Sequence, residues 1–219
     1  MTWLNVPIRR ALVLFVGAVA GVFAVLPHPG QHLGEFAAYA VVAGAAVVVG
    51  TVLSRRPTLS RTPTLIAQAA VIGAVTAVFL VAADALLVRA VGGVWLQRPP
   101  VWTGLLYALA GGVSEEIVFH YGLLVAIAWI ALRVMPPGAA SWLAIAGSAV
   151  AMGLSHLPST ATVLPLTPLV VARTVTLTAL GGAVSGWLYW RRGLEAAMVT
   201  HGIIGFALHD WAPGTFLAT

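Results

Sequence analysis

The chain has 219 residues, of which 60% are hydrophobic and 8% are charged, and its mean hydropathy is +1.00. Soluble domains carry about a quarter charged residues, so this composition excludes an ordinary soluble domain and indicates a polytopic membrane protein. The formal net charge is +5, but the basic residues are arginines scattered at segment ends, which indicates contact with lipid headgroups and argues against a nucleic-acid partner.

Seven apolar segments, separated by breaks that contain Pro, Gly and Arg, predict transmembrane helices. They run over about 11–26, 36–53, 64–88, 101–132, 140–157, 169–190 and 194–211. We interpret the first segment as a retained helix and not as a signal peptide, because no clear cleavage site follows it. A membrane helix needs about 20 apolar residues, so these segments use almost the whole chain. The sequence therefore predicts an all-α fold, a single integral membrane domain over residues 1–219.

The arginines also predict the orientation of the bundle. With a cytoplasmic N-terminus, most of them fall on the inner side, as the positive-inside rule requires. The membrane that we expect is the plasma membrane of a bacterial-type cell. The inner set is Arg9, Arg10, Arg55, Arg56, Arg61, Arg133, Arg191 and Arg192, and the outer set is Arg89, Arg98 and Arg173.

Glu115 and Glu116 are adjacent within an apolar run, although the chain has only 6 acidic residues. A carboxylate at the centre of a membrane costs about 2.5–3.5 kcal/mol on insertion scales, so such residues are functional candidates. Glu116 and His120 are spaced i,i+4 and can pair, whereas Glu115 points about 100° away and is free to face a cavity. Hydrogen bonding between helices and a proton or ion pathway are the alternative roles of buried carboxylates.

Two histidines lie in other apolar segments, His156 at the end of the fifth and His201 within the seventh. A single histidine near a helix end is usually an interfacial or capping residue. Together with the two glutamates, however, these histidines form a Glu/Glu/His/His set on three helices. Neutral imidazole can orient water, donate to an oxyanion or bind zinc, so the set favours hydrolysis.

The remaining motifs and polar residues narrow the chemistry further. The sequence contains neither H-E-x-x-H nor G-x-S-x-G, and without cysteine it has no thiolate ligand, cysteine nucleophile or disulfide. We expect Asp84 to be held by Arg89, which is close to it in sequence. Four further residues fall in loops or at a span end and are expected to be solvated: His28, His32, His209 and Asp210.

Three short motifs occur in order along the second half of the chain: Glu115–His120, Met152–His156 and His201–Gly205. They resemble E-E-x-x-x-R, F-x-x-x-H and H-x-x-x-N or H-x-x-x-D. These are the motifs of the CPBP family, the CAAX-protease and bacteriocin-processing group of intramembrane proteases. The resemblance covers about 103–211, the region that we identify as the catalytic core.

The resemblance implies an endopeptidase that hydrolyses a peptide bond within the membrane. It makes Glu115 the general base that activates water, with His156 as its partner and His201 as an oxyanion donor. Glu116 is then a structural or assisting group. The implied partners are membrane lipids and a peptide or protein substrate. We expect no resident metal or other cofactor, although glutamate and histidine side chains can also bind zinc.

Two departures from the family pattern bear on catalysis. His120 stands where the family has arginine, and Gly205 stands where it has an asparagine or aspartate. Gly205 therefore removes one oxyanion donor, and one such donor typically contributes ~10²–10³ to the rate. Both departures favour the alternative function, a catalytically weak membrane scaffold or an immunity-type binding protein of the same family.

Overall fold

The computed structural model describes residues 8–25, 33–53, 63–90, 101–162 and 164–208. Within these ranges the fold is helical, without a strand, which confirms the predicted all-α bundle. The four polar residues expected to be solvated, His28, His32, His209 and Asp210, lie outside the described residues.

The helical elements follow the predicted segments closely. In chain order they are α1 (Ile8–Val25), α2 (Leu33–Leu53), α3 (Pro63–Ala90), α4 (Val101–Ala110), a π-helix (Gly111–Leu124), α5 (Val125–Ala131), α6 (Pro137–Ser155), α7 (Leu157–Ala161), α8 (Pro168–Arg192) and α9 (Leu194–Phe206). Helix α4, the π-helix and α5 form one continuous rod through the fourth predicted span.

Five helical stretches of the described chain are long and apolar enough to cross a membrane. They are Gly34–Leu53, Pro63–Leu87, Gly104–Ala131, Pro137–Ala161 and Pro168–Arg192. Helices α1 and α9 supply shorter apolar helices at the positions of the first and seventh predicted spans. Large apolar side chains face outward, and Val41 and Val52 are both 72% exposed. Extensive exposed apolar surface of this kind marks contact with a membrane, so the chain is an integral membrane protein.

The fourth span differs from the uniform α-helix that the sequence predicted. Its middle part is a π-helix, in which i→i+5 hydrogen bonds put more residues into each turn than an α-helix has. The rod is therefore shorter than an α-helix of the same residue count. The π-helix carries Glu115, Glu116 and His120, and π-helical turns are frequent at functional sites.

Helix α9, which carries His201, lies at the centre of the bundle and packs against α3, α4, α8 and the π-helix. The Thr200 hydroxyl donates to the Ala69 carbonyl oxygen of α3 at 2.9 Å. Gly73 lets the two helices approach, because a Cβ there would lie 3.1 Å from the Thr200 backbone. Helix α3 thus sets the position of the turn that carries His201.

His156 lies within the fifth apolar stretch, Pro137–Ala161, at the junction of α6 and α7. After His156 the chain continues as α7, and the apolar stretch reaches Ala161. The hydroxyl of Thr160 in α7 donates back to the His156 carbonyl oxygen at 2.9 Å. The packing of the bundle brings His156 Nε2 to 3.7 Å from Glu115 Oε1.

A buried ion pair joins α3 to α8. Arg173 Nη2 lies 2.6 Å from Asp84 Oδ1, and the two side chains are 18% and 10% exposed. The expected partner, Arg89, has its side chain outside the described residues, so a contact between Arg89 and Asp84 stays a prediction. Arg173 is far from Asp84 in sequence and reaches it only because α3 and α8 pack together.

Arg173→Ala should destabilise the bundle, because it removes the counter-ion that the described residues give to the buried Asp84. Breaking one side of a buried ion pair costs about 3–5 kcal/mol, whereas replacing both partners by apolar residues is often neutral. The double variant Asp84→Leu with Arg173→Met should therefore recover most of the loss. Denaturant unfolding of the purified protein in detergent measures both variants. An Arg173→Ala protein as stable as wild type would show that the pair does not stabilise the packing of α3 on α8.

Candidate active site

The carboxylate of Glu116 is fully buried and is held by two imidazoles. His120 Nδ1 lies 2.6 Å from Glu116 Oε2, and His201 Nδ1 lies 2.8 Å from Glu116 Oε1. Because an ionised carboxylate only accepts hydrogen bonds, both Nδ1 atoms must donate. The pairing of Glu116 with His120 follows the i,i+4 spacing, and the bond from His201 adds a partner that the sequence did not predict.

Glu115 has different surroundings, although it is the next residue. Its side chain is 28% exposed, with His156 Nε2 3.7 Å from Oε1 and His201 Nε2 3.8 Å from Oε2. These separations are too long for direct hydrogen bonds and are the kind of gap that a bridging water fills. Oε2 is buried without a hydrogen-bond partner among the described residues. Glu115 is thus the carboxylate that remains available for chemistry.

The ring of His156 is oriented by its own helix. Its Nδ1 lies 2.9 Å from the Met152 carbonyl oxygen, which can only accept, so Nδ1 carries the hydrogen. In the neutral ring Nε2 therefore carries a lone pair, and this lone pair faces Glu115. The side chain is 30% exposed, so the ring is reachable from outside the protein core.

A backbone position that the sequence analysis did not single out also borders the site. A Cβ at Gly111 would lie 3.5 Å from His201 Nε2 and 3.9 Å from Glu115 Oε1. The absence of a side chain there keeps the space between these two groups open. The sequence signal for this position is the pair Gly111 and Gly112, which stands two residues before the glutamates in an otherwise apolar run.

Gly205 lies one turn after His201, where α9 packs on α4. A Cβ at this position would lie 3.6 Å from the Ala108 Cα, an ordinary contact distance. The residue contributes to helix packing and offers no side-chain donor to the site.

The structure thus brings together all four predicted site residues, Glu115, Glu116, His156 and His201. His120 contacts this set through its bond to Glu116. Their catalytic roles stay predictions. Within the described part of the chain, no three His, Asp or Glu side chains are arranged so that they could hold a metal ion. The arrangement offers one open carboxylate and two imidazole Nε2 atoms that face it.

Comparison with known proteins identifies the class. A family model described as Type II CAAX prenyl endopeptidase Rce1-like matches residues 97–207, which include the four site residues. The chain belongs to this family, a family of intramembrane proteases, and the resemblance to the CPBP group is confirmed. Neither the comparison with curated proteins nor that with solved structures gave a match.

Glu116→Gln should weaken the fold, because the two histidines donate to different oxygens of Glu116 and the amide replaces one of these oxygens by an NH₂ group that cannot accept. At least one of His120 and His201 must then lose its Nδ1–H bond. A hydrogen bond to a charged group contributes about 1.5–3 kcal/mol, so the free energy of unfolding should fall by about that amount. Denaturant unfolding measures this free energy. In ¹⁵N NMR of histidine-labelled protein, the ring nitrogen signals of His120 or His201 should change.

Glu115→Gln is the matched control for this prediction, since it makes the same chemical change one residue earlier. Glu115 approaches its imidazoles only at 3.7 and 3.8 Å, so this variant should lose little stability. Equal losses in the two variants would contradict the assignment of Glu116 as the carboxylate that holds the histidines.

Proposed function

We propose that the protein is an intramembrane endopeptidase that hydrolyses a peptide bond with water activated by Glu115. The observation that carries the proposal is the position of the Glu115 carboxylate, opposite the Nε2 atoms of His156 and His201 at 3.7 and 3.8 Å. Each of these rings has its Nδ1–H engaged elsewhere, so both present Nε2 to the same space. Membership of a protease family supports the reaction class.

In the proposed first step, one water molecule lies between Glu115 and His156. It donates one hydrogen to the carboxylate and the other to the Nε2 lone pair of His156, since both groups are acceptors. Its own lone pair is then free to attack the carbonyl carbon of the scissile peptide. As the carbon–oxygen bond forms, Glu115 takes a proton from the water as general base.

The tetrahedral intermediate carries a negative oxygen that needs a donor. The Nδ1–H of His201 is already directed at Glu116, so only the imidazolium form has a second N–H, at Nε2, to give to the oxyanion. Glu116 is the anion that faces this imidazolium. The peptide C–N bond then breaks, and the proton held by Glu115 passes to the leaving nitrogen. One water and one peptide bond become a carboxylic acid and an amine.

Glu116 acts in this proposal by orienting the histidines and not as a base. Both of its oxygens accept imidazole N–H groups, and the side chain is fully buried. Gly205 supplies no donor, so oxyanion stabilisation falls to His201. This supports the second candidate function, a catalytically weak scaffold or immunity-type binding protein.

The substrate that we propose is a peptide or protein whose scissile bond reaches the site from the membrane. The family description names a CAAX prenyl endopeptidase, and a lipid-modified C-terminus suits a site between apolar helices. A farnesylated, internally quenched CAAX peptide and its unlipidated counterpart are therefore the first probes. We further propose that the protein lies in the plasma membrane of a bacterial-type cell with its N-terminus in the cytoplasm.

Glu115→Gln and His156→Ala should each lower kcat by about 10²–10⁴-fold, the typical contribution of a general acid–base group. The substrate is whichever of the two peptides the wild-type protein hydrolyses. KM should change little, because neither group is assigned to binding the peptide. The measurement is the initial rate of purified protein in nanodiscs. Glu35→Gln is the control, since it makes the same change at an exposed position in the first turn of α2 and should leave the rate unaltered.

Other outcomes separate the candidate functions. If both site variants cleave as wild type does, the proposed mechanism is wrong. A wild-type protein that cleaves neither peptide, combined with a biological phenotype that Glu115→Gln preserves, would instead indicate the scaffold. Proton or ion flux into liposomes without any peptide would indicate a pathway through the bundle.

The proposed reaction needs no resident metal, because Glu115 and the histidines supply the proton transfers themselves. Dialysis against a strong chelator should therefore leave kcat within about twofold of the untreated value, well inside the ~10²–10⁴ that loss of a catalytic group costs. Metal analysis of the purified protein should find less than one equivalent of zinc. Loss of activity on chelation, with recovery on adding zinc alone, would contradict this part of the proposal.

A further inference from the structure

Gly186 of α8 faces the ring of His120 without a side chain between them. A Cβ at this position would lie 3.0 Å from His120 Nε2, 3.1 Å from His120 Cδ2 and 3.4 Å from Leu124 Cδ1. The first two distances are tighter than most contacts of real Cβ atoms. Gly182 and Gly186 form a small-xxx-small pair, and such pairs let helices approach closely. Here the second glycine meets a residue of the candidate site.

The ring of His120 has little freedom to retreat from that contact. It is fully buried, and its Nδ1 donates to Glu116 Oε2 at 2.6 Å. One face stacks on Tyr189 of α8, with ring centroids 6.5 Å apart and the planes at 24°. Its Nε2 has no hydrogen-bond partner among the described residues, so packing alone fixes that edge of the ring.

A chain of contacts leads from this ring to the open carboxylate. His120 bonds to one oxygen of Glu116, His201 bonds to the other at 2.8 Å, and His201 Nε2 lies 3.8 Å from Glu115. A shift of the His120 ring therefore pulls on the carboxylate that sets the orientation of His201. Bidentate bonding of this kind transmits displacement, because neither oxygen of Glu116 can move alone.

We propose that Gly186 is a positioning residue: by leaving space for one imidazole, it sets His120 and, through Glu116, the ring of His201. The consequence for hydrolysis rests on the proposed function, whereas the positioning itself does not. Helix α8 thereby controls the geometry of a site whose acidic groups lie on the π-helix.

The first test is Gly186→Ala. Its added methyl should displace His120 and lower kcat by about 10–100-fold with KM nearly unchanged, since small misplacements of catalytic groups cost rates of this order. Gly181→Ala is the matched control, a buried glycine of the same helix whose Cβ would meet only Leu80 and Ile204 side-chain carbons at 3.5 and 3.7 Å. It should keep the wild-type kcat. An unchanged kcat in Gly186→Ala would overturn the proposal.

The second test separates positioning from general damage to packing. In a His120→Ala background the clash partner of the new methyl is gone, so adding Gly186→Ala should change kcat by less than about twofold. Residues in contact show such non-additivity, whereas independent sites add. If Gly186→Ala costs the same factor in both backgrounds, the residue acts on packing elsewhere and the proposal fails.

The third test does not depend on turnover. In ¹⁵N-histidine-labelled protein, the signals of His120 and His201 can be assigned by single substitutions. Both signals should shift in Gly186→Ala, and neither should shift in Gly181→Ala. If these signals shift in Gly186→Ala but the wild-type protein hydrolyses no peptide, the positioning role is retained and the proposed function is rejected. If the histidine signals of Gly186→Ala are the same as those of the wild-type protein, the positioning role is rejected, whatever the activity.

Discussion

The structure depends on one buried carboxylate, that of Glu116, and on the two imidazole N–H groups that it accepts. An unpaired carboxylate in a membrane bundle is costly. When a buried charged group loses a hydrogen-bond partner, its desolvation penalty is no longer compensated. His120 and His201 donate to separate oxygens, so the three residues are stable only as a unit. This unit holds the π-helix to α9 and fixes the direction in which His201 presents its Nε2.

The same constraint gives two neighbouring glutamates opposite properties. Glu116 has both oxygens engaged and no exposure, whereas Glu115 is partly exposed and lies beyond hydrogen-bond distance of its two histidines. Identical side chains thus differ in chemistry because the helix turns between them. The proposed general base is the carboxylate that the packing leaves open.

The first three helices lie outside the range that matches the family, yet they hold the elements that carry the site. The Ser114 hydroxyl of the π-helix donates to the Ala18 carbonyl oxygen of α1 at 2.8 Å, and Thr200 of α9 does the same to Ala69 of α3. Membrane helices associate through close packing and such interhelical hydrogen bonds, since lipid supplies no hydrophobic driving force between them. Helix α1 therefore supports the π-helix, and helix α3 supports α9.

The sequence by itself determined the all-α membrane bundle, because a chain so apolar can satisfy its backbone in lipid only as helices. It also determined the pairing of Glu116 with His120, which depends on local i,i+4 spacing. Only the tertiary structure decided that His201 bonds to Glu116, that Arg173 pairs with Asp84 and that Gly186 faces His120. These contacts join helices that are apolar on nearly all sides, and such helices carry little pattern to show which face turns inward.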